Sequence, residues 1–134
     1  TSAKSEPIVS LFTVEDVIRF HQAVRGVPIA EEVAMSAVTL AASSRPGREG
    51  TPKFINDWVN WGAGLRAAQT MVLGGKARAI LRGGTHVTFD DIKALARPTL
   101  RHRILLSYRA EAEGVTVDKV IDQLIASTFS KSGK

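Results

Sequence analysis

"WGAGLRAAQTMVLGGKARAILRGG", residues 61–84, decides the reading of this chain. Leu65, Ala68 and Val72, then Leu73, Ala77, Ile80 and Leu81, recur at helical spacing, which predicts a helix from Leu65 to Arg82 with that stripe toward a core. Gly83 and Gly84 end it. Gly74 and Gly75 interrupt it at about 1 kcal/mol each relative to alanine. The pair either kinks the helix or lets another backbone come close, and close packing is the favoured reading. Arg66 falls in the first turn, where the positive end of the helix and its free N–H groups disfavour a cation unless an anion lies between them. Arginine is also a good helix former whose long stem covers apolar surface, so its position alone does not establish an anion site.

On either side, three segments share one grammar: "FTVEDVI" at 12–18, "VTFDDIK" at 87–93 and "VTVDKVI" at 115–121. In each, a threonine (Thr13, Thr88 or Thr116) can cap a helix, acidic residues suit the first turn, and the preceding apolar residue can staple to Val17, Ile92 or Val120. This is generic capping and implies no repeat.

After Thr13, the residues Val14, Val17, Ile18, His21 and Val24 predict a helical face ended by Gly26, with His21 as a core-edge side chain. A second helix is predicted from Glu31 to Ser43, with Val33, Ala37, Leu40 and Ala41 inward, broken by the loop "SSRPGREGTP". "THV" reads as a short extended piece. Phe89, Ile92, Leu95 and Ala96 define a further helix stopped by Pro98. "TLRHRILLSYRAEAEG" begins like a short helix and contains the apolar "ILLSY", a candidate extended segment. Val117, Val120, Ile121, Leu124 and Ile125 set the last helix, to about Phe129. The expected fold is an all-α bundle of about five helices with one short extended segment.

At 134 residues the chain suits one domain with a real core. It is 44% hydrophobic and 23% charged, with no apolar run long enough to cross a bilayer. It has no cysteine, which excludes disulfides and thiolate metal sites and fits a cytoplasmic setting. "TSAKSEP" lacks the layout of a signal peptide. The net charge of +5 permits a polyanionic partner without specifying one.

Nucleotide hydrolysis by a self-contained domain needs a phosphate loop of the type G-x-x-x-x-G-K-[ST]. The nearest approach is Gly75-Lys76, which is followed by Ala77 and has Thr70 where the first glycine belongs. Asp16, Asp90, Asp91 and Asp118 read as caps in helix first turns, His21, His86 and His102 lack metal-ligand spacing, and no nucleophile elbow is present. The chain by itself does not read as an enzyme.

The run from Val59 to Ile121 closely resembles the C-terminal lid of MoxR-type AAA+ ATPases, and "VSLFTVEDVIRFHQAVRGVPIAEEV" resembles the segment that opens that lid. Residues 45–58 are the least family-like. Two motifs carry the resemblance. The family's G-A-S-P-R-A corresponds to Gly62-Ala63-Gly64-Leu65-Arg66-Ala67, and its L-x-H-R run followed by a hydrophobic residue to Leu100-Arg101-His102-Arg103-Ile104. Gly64-Leu65 stands where the family prefers Ser-Pro, removing a hydroxyl cap and a proline suited to the first helical position.

The resemblance implies that Arg66, with Gly64 at the helix start, is the sensor 2 arginine that reaches the phosphates of ATP, with Mg present in the full-length protein. A phosphate there would meet free N–H groups, the helix dipole and a guanidinium together. The family further implies a chaperone-like homo-oligomeric ring, a hexamer, in which the lid serves its own AAA+ core domain, and partners that include von Willebrand factor A domain proteins. On this reading residues 1–10 are disordered or linker, 11–130 the helical lid domain and 131–134 a frayed tail. Arg101, His102 and Arg103 contact the core domain or a neighbouring subunit, or form a solvated basic face. Trp58 and Trp61 are apolar anchors that pack on the lid core or mark an interface. The alternative is a basic helical module for nucleic acid or protein interaction, suggested by Arg97, Arg101, His102, Arg103 and Arg109, although these straddle Pro98 rather than sharing one recognition helix.

Overall fold

The computed structural model describes residues 7–130; the stretches 1–6 and 131–134, within the expected linker and the expected tail, lie outside the described residues. Residues 7–10 have no regular structure and are exposed.

Among the described residues, seven helices and a two-stranded ribbon follow in order: α1 (Val14–Gly26), α2 (Glu31–Ser43), α3 (Lys53–Trp58), β1 (Val59–Trp61), α4 (Leu65–Leu81), α5 (Phe89–Leu100), β2 (Leu105–Leu106), α6 (Tyr108–Ala112) and α7 (Val117–Phe129). The fold is the expected all-α bundle, with α2, α4, α5 and α7 packed around one core. Thr13, Thr88 and Thr116 cap α1, α5 and α7 as predicted, each hydroxyl accepting from the third backbone N–H of its helix. Asp16 and Asp91 return the bond to the cap backbone and complete two capping boxes.

The predicted inward residues of α2 are all buried, and α5 and α7 bury theirs wholly or in part. "THV" contributes Val87, which forms a parallel bridge with Ile29. The extended part of "ILLSY" is β2, antiparallel to β1, with Val59 opposite Leu106 and Trp61 opposite Leu105. The sequence reading missed α3, β1 and α6, which are too short for periodicity to declare.

Four expectations are corrected. The core stripe of α4 is Ala67, Ala68, Met71, Gly75 and Ala79, whereas Leu65, Leu73, Ile80 and Leu81 are exposed. Small residues let α4 approach its neighbours closely: a Cβ at Gly75 would sit 3.1 Å from Val87 Cγ1 and 3.3 Å from Ile92 Cδ1, and one at Gly74 would sit 2.8 Å from Leu95 Cδ1. The glycine pair therefore serves close packing inside a continuous helix. Second, α1 buries none of its residues: it touches α4, yet Val14, Val17, Ile18 and His21 are exposed. Third, α1 ends at Gly26 as expected but not through a left-handed glycine: extended Val27 ahead of Pro28 closes it, because proline disfavours the helical region for the residue before it. Fourth, α5 continues through Pro98 to Leu100, since a proline this close to the end forfeits only one helical hydrogen bond.

Asp91 does more than cap. Fully buried, it accepts from Arg78 at 2.6 Å, from Arg82 Nη2 at 2.9 Å and from the Thr88 backbone N–H at 2.8 Å. It thereby ties the C-terminal half of α4 to the start of α5. The bonds from Arg82 first, then those from Thr88 and Arg78, outweigh burial and hold its carboxyl well below the usual range.

Candidate functional site at the start of α4

Gly62, Ala63 and Gly64 connect β1 to α4 and run directly against the C-terminal end of α2. Gly62 is seated on the Ser44 carbonyl, and a Cβ there would lie 2.1 Å from that oxygen. The Ala63 N–H donates to Ser44 Oγ at 2.8 Å, and Ser44 Oγ donates to the Ala41 carbonyl at 2.7 Å. Arg45 Nε donates to the Ala63 carbonyl at 2.7 Å. Both polar groups of the Ala63 residue are thus held by two consecutive residues just past the end of α2.

Gly64 is the N-cap of α4, in extended conformation and with no side chain to satisfy the first amides. Four of the other helices begin at a Thr or Ser that supplies this bond. Arg66 is exposed two residues into α4, and among the described residues no side chain pairs with its guanidinium. Uncapped N–H groups beside an exposed cation form an arrangement suited to an anion. Beside them a cavity of about 420 Å³ is lined by Arg45, Pro46, Arg48, Asn60, Trp61 and Gly64.

The structure separates the two tryptophans. Trp58 packs on the core, with its indole N–H on Glu113 at 3.0 Å, Phe54 in tilted contact and the Lys119 ammonium over its ring. Trp61 stands 72% exposed at the cavity.

The arginines of "LRHRI" are engaged within the domain. Arg101 forms a two-bond pair with Asp118 at 2.8 and 3.0 Å, and Arg103 donates to the Thr99 carbonyl at 2.6 Å. His102 is exposed. Arg97 pairs with Asp122 and Arg109 with Glu113. Hydrogen bonds from Arg101 to Asp118, and from Arg109 and then Trp58 to Glu113, hold both carboxyls below their ordinary values. Three of the five residues suggesting a polyanion-binding face are therefore matched by carboxylates. Among the described residues no group of His, Asp or Glu could hold a metal ion, and no helix is long and apolar enough to cross a membrane.

The chain belongs to the AAA lid domain family, whose model matches residues 56–124. It is 30% identical over 71 residues to the chaperone MoxR1 of Mycobacterium tuberculosis, a match covering 53% of this chain and 19% of that protein. This makes it a lid of the MoxR type. A crystal structure described as a candidate ATPase from Cytophaga hutchinsonii superposes with a TM-score of 0.77 at 30% identity, covering 84% of this chain and 34% of that one. The chain thus spans about a fifth of the curated relative and a third of the solved one.

Ser44 and Arg45 escaped the sequence reading. They lie 19 and 18 residues from the groups they hold, Arg45 at the edge of the stretch least like the family and Ser44 just before it, and no local pattern marks them.

Proposed function

We propose that this lid rests over the nucleotide of a MoxR-type AAA+ ATPase and presents Arg66 to the phosphates. The observation that carries the reading is the exposed Arg66 guanidinium beside the uncapped start of α4. ATP fits there as an anion. It would meet the free amides of Leu65 and Arg66 and the guanidinium, while Mg would belong with the phosphate loop of the core domain. Arg66 would then stabilise charge as it moves in the transition state, and a rigid lid would convert the nucleotide state into movement between subunits of a homo-oligomeric ring. The chain alone, lacking the phosphate loop, would not turn over ATP.

The exposed apolar face of α1, with Leu65, Leu73 and Leu81 of α4, suits contact with the lid's own core domain. In the "LRHRI" motif, His102 is the residue left facing outward for a neighbouring subunit. The carboxylates opposite Arg97, Arg101 and Arg109 weigh against the nucleic-acid reading, because a phosphate backbone would have to displace them.

In the full-length polypeptide carrying this lid, Arg66→Ala is expected to lower ATP turnover on the order of 100-fold with the fold intact. Turnover and assembly equal to those of the unaltered protein would reduce Arg66 to a surface helix former.

A further inference from the structure

We infer that Arg45 is a positioning residue for Arg66, acting with Ser44 through the backbone of Ala63. The inference rests on the phosphate role proposed for Arg66.

Arg45 is a half-buried cation whose guanidinium, among the described residues, pairs with no carboxylate; its Nε–H is directed at a backbone carbonyl, that of Ala63, at 2.7 Å. A charged donor on a neutral carbonyl makes a strong bond with a fixed direction. Fully buried Ser44 holds the other side of the same residue by accepting its N–H, and is itself anchored to the Ala41 carbonyl. Ala63 is 1% exposed, so neither bond competes with bulk water.

Rotation of either peptide flanking Ala63 is blocked, and Ala63 lies three residues before Arg66. The α4 start has no hydroxyl cap and no proline to fix its direction, so the orientation of the first turn depends on this hold from α2. Glycine at 64 belongs to the same arrangement: a Cβ there would lie 3.1 Å from Arg45 Nη2, so a side chain would crowd the guanidinium that holds the loop. The Ser44–Arg45 clamp thus supplies the rigidity that Gly64-Leu65 gives up. A displacement of about 1 Å at a reacting centre can cost up to 100-fold in rate, which is the scale on which such a hold matters.

The test is a double-mutant cycle on ATP hydrolysis by the full-length polypeptide, with kcat and KM measured for Arg45→Ala, Arg66→Ala and the pair. If Arg45 acts through Arg66, Arg45→Ala lowers kcat about tenfold with KM little changed, and the double variant falls no further than Arg66→Ala alone. Losses that multiply in the double variant, or an Arg45→Ala enzyme with unaltered kcat, overturn the clamp and leave the role of Arg66 standing. An Arg66→Ala enzyme with unaltered turnover overturns the phosphate role and this inference with it. Arg45→Lys retains the cation and most of the stem without the Nε–H. It is expected to show the same fall in kcat and takes the place of Arg45→Ala in the cycle if the alanine variant does not fold.

Discussion

Asp91→Ala is expected to lower the melting temperature of the chain by on the order of 10 °C. The carboxylate is fully buried and accepts from two arginines and from the backbone and hydroxyl of Thr88. Removing one partner of a buried ion pair typically costs about 3–5 kcal/mol. Arg78 and Arg82 are 43% and 36% exposed and regain water when released, which places the loss near the lower end, about 3 kcal/mol. The pH dependence follows from a carboxyl held below its ordinary value. Its contribution is fully present above the unfolded pKa of about 4 and is lost as pH falls through the depressed folded value. The stability gap between native protein and Asp91→Ala should therefore be flat from roughly pH 5 to 8 and shrink in acid. Thermal melts showing as large a gap at about pH 2 as at about pH 7 would refute the account.

Gly62→Ala is expected to cost about 3 kcal/mol or more, because the added carbon meets backbone rather than a movable side chain. It would lie 2.1 Å from the Ser44 carbonyl oxygen and 2.8 Å from Arg45 Cα, so the loop must retreat from α2. Retreat breaks the Ala63 bonds to Ser44 and Arg45 and leaves buried polar groups unpaired, which adds to the steric cost. Urea denaturation gives the stability, and hydrogen exchange at the Ala63 amide reports the local opening. An unshifted midpoint with Ala63 still protected would mean that the loop does not bear on α2 as described.

Much of the fold could be read from the sequence because capping and periodicity are local. Thr13, Thr88 and Thr116 announce their helices within four residues, and the inward stripes of α2, α5 and α7 contain large apolar side chains that leave little choice of face. In α4 the same reasoning selected the wrong stripe. Its sequence offers one face of leucine and isoleucine and another of alanine and glycine, and hydrophobicity favours the first while close approach to α2 and α5 requires the second. For α1 the periodicity was real, but periodicity does not say whether the apolar face is buried within the chain. The cation in the first turn of α4 drew notice to Arg66 and the family motif supplied the phosphate role proposed for it, whereas the contacts of Ser44 and Arg45 with Ala63 exist only once the end of α2 and the loop meet.

Because α1 buries no side chain and meets the rest of the bundle mainly along α4, little of its order comes from the core. A helix of 13 residues is marginal in water on its own. Its amides can exchange through local opening, whereas those of α2, α4 and α5 must wait for the core to breach. Helix–coil relaxation takes about a microsecond or less, so α1 can form and dissolve on that timescale. Its helicity would then follow whatever surface lies against it, α4 from within the chain included.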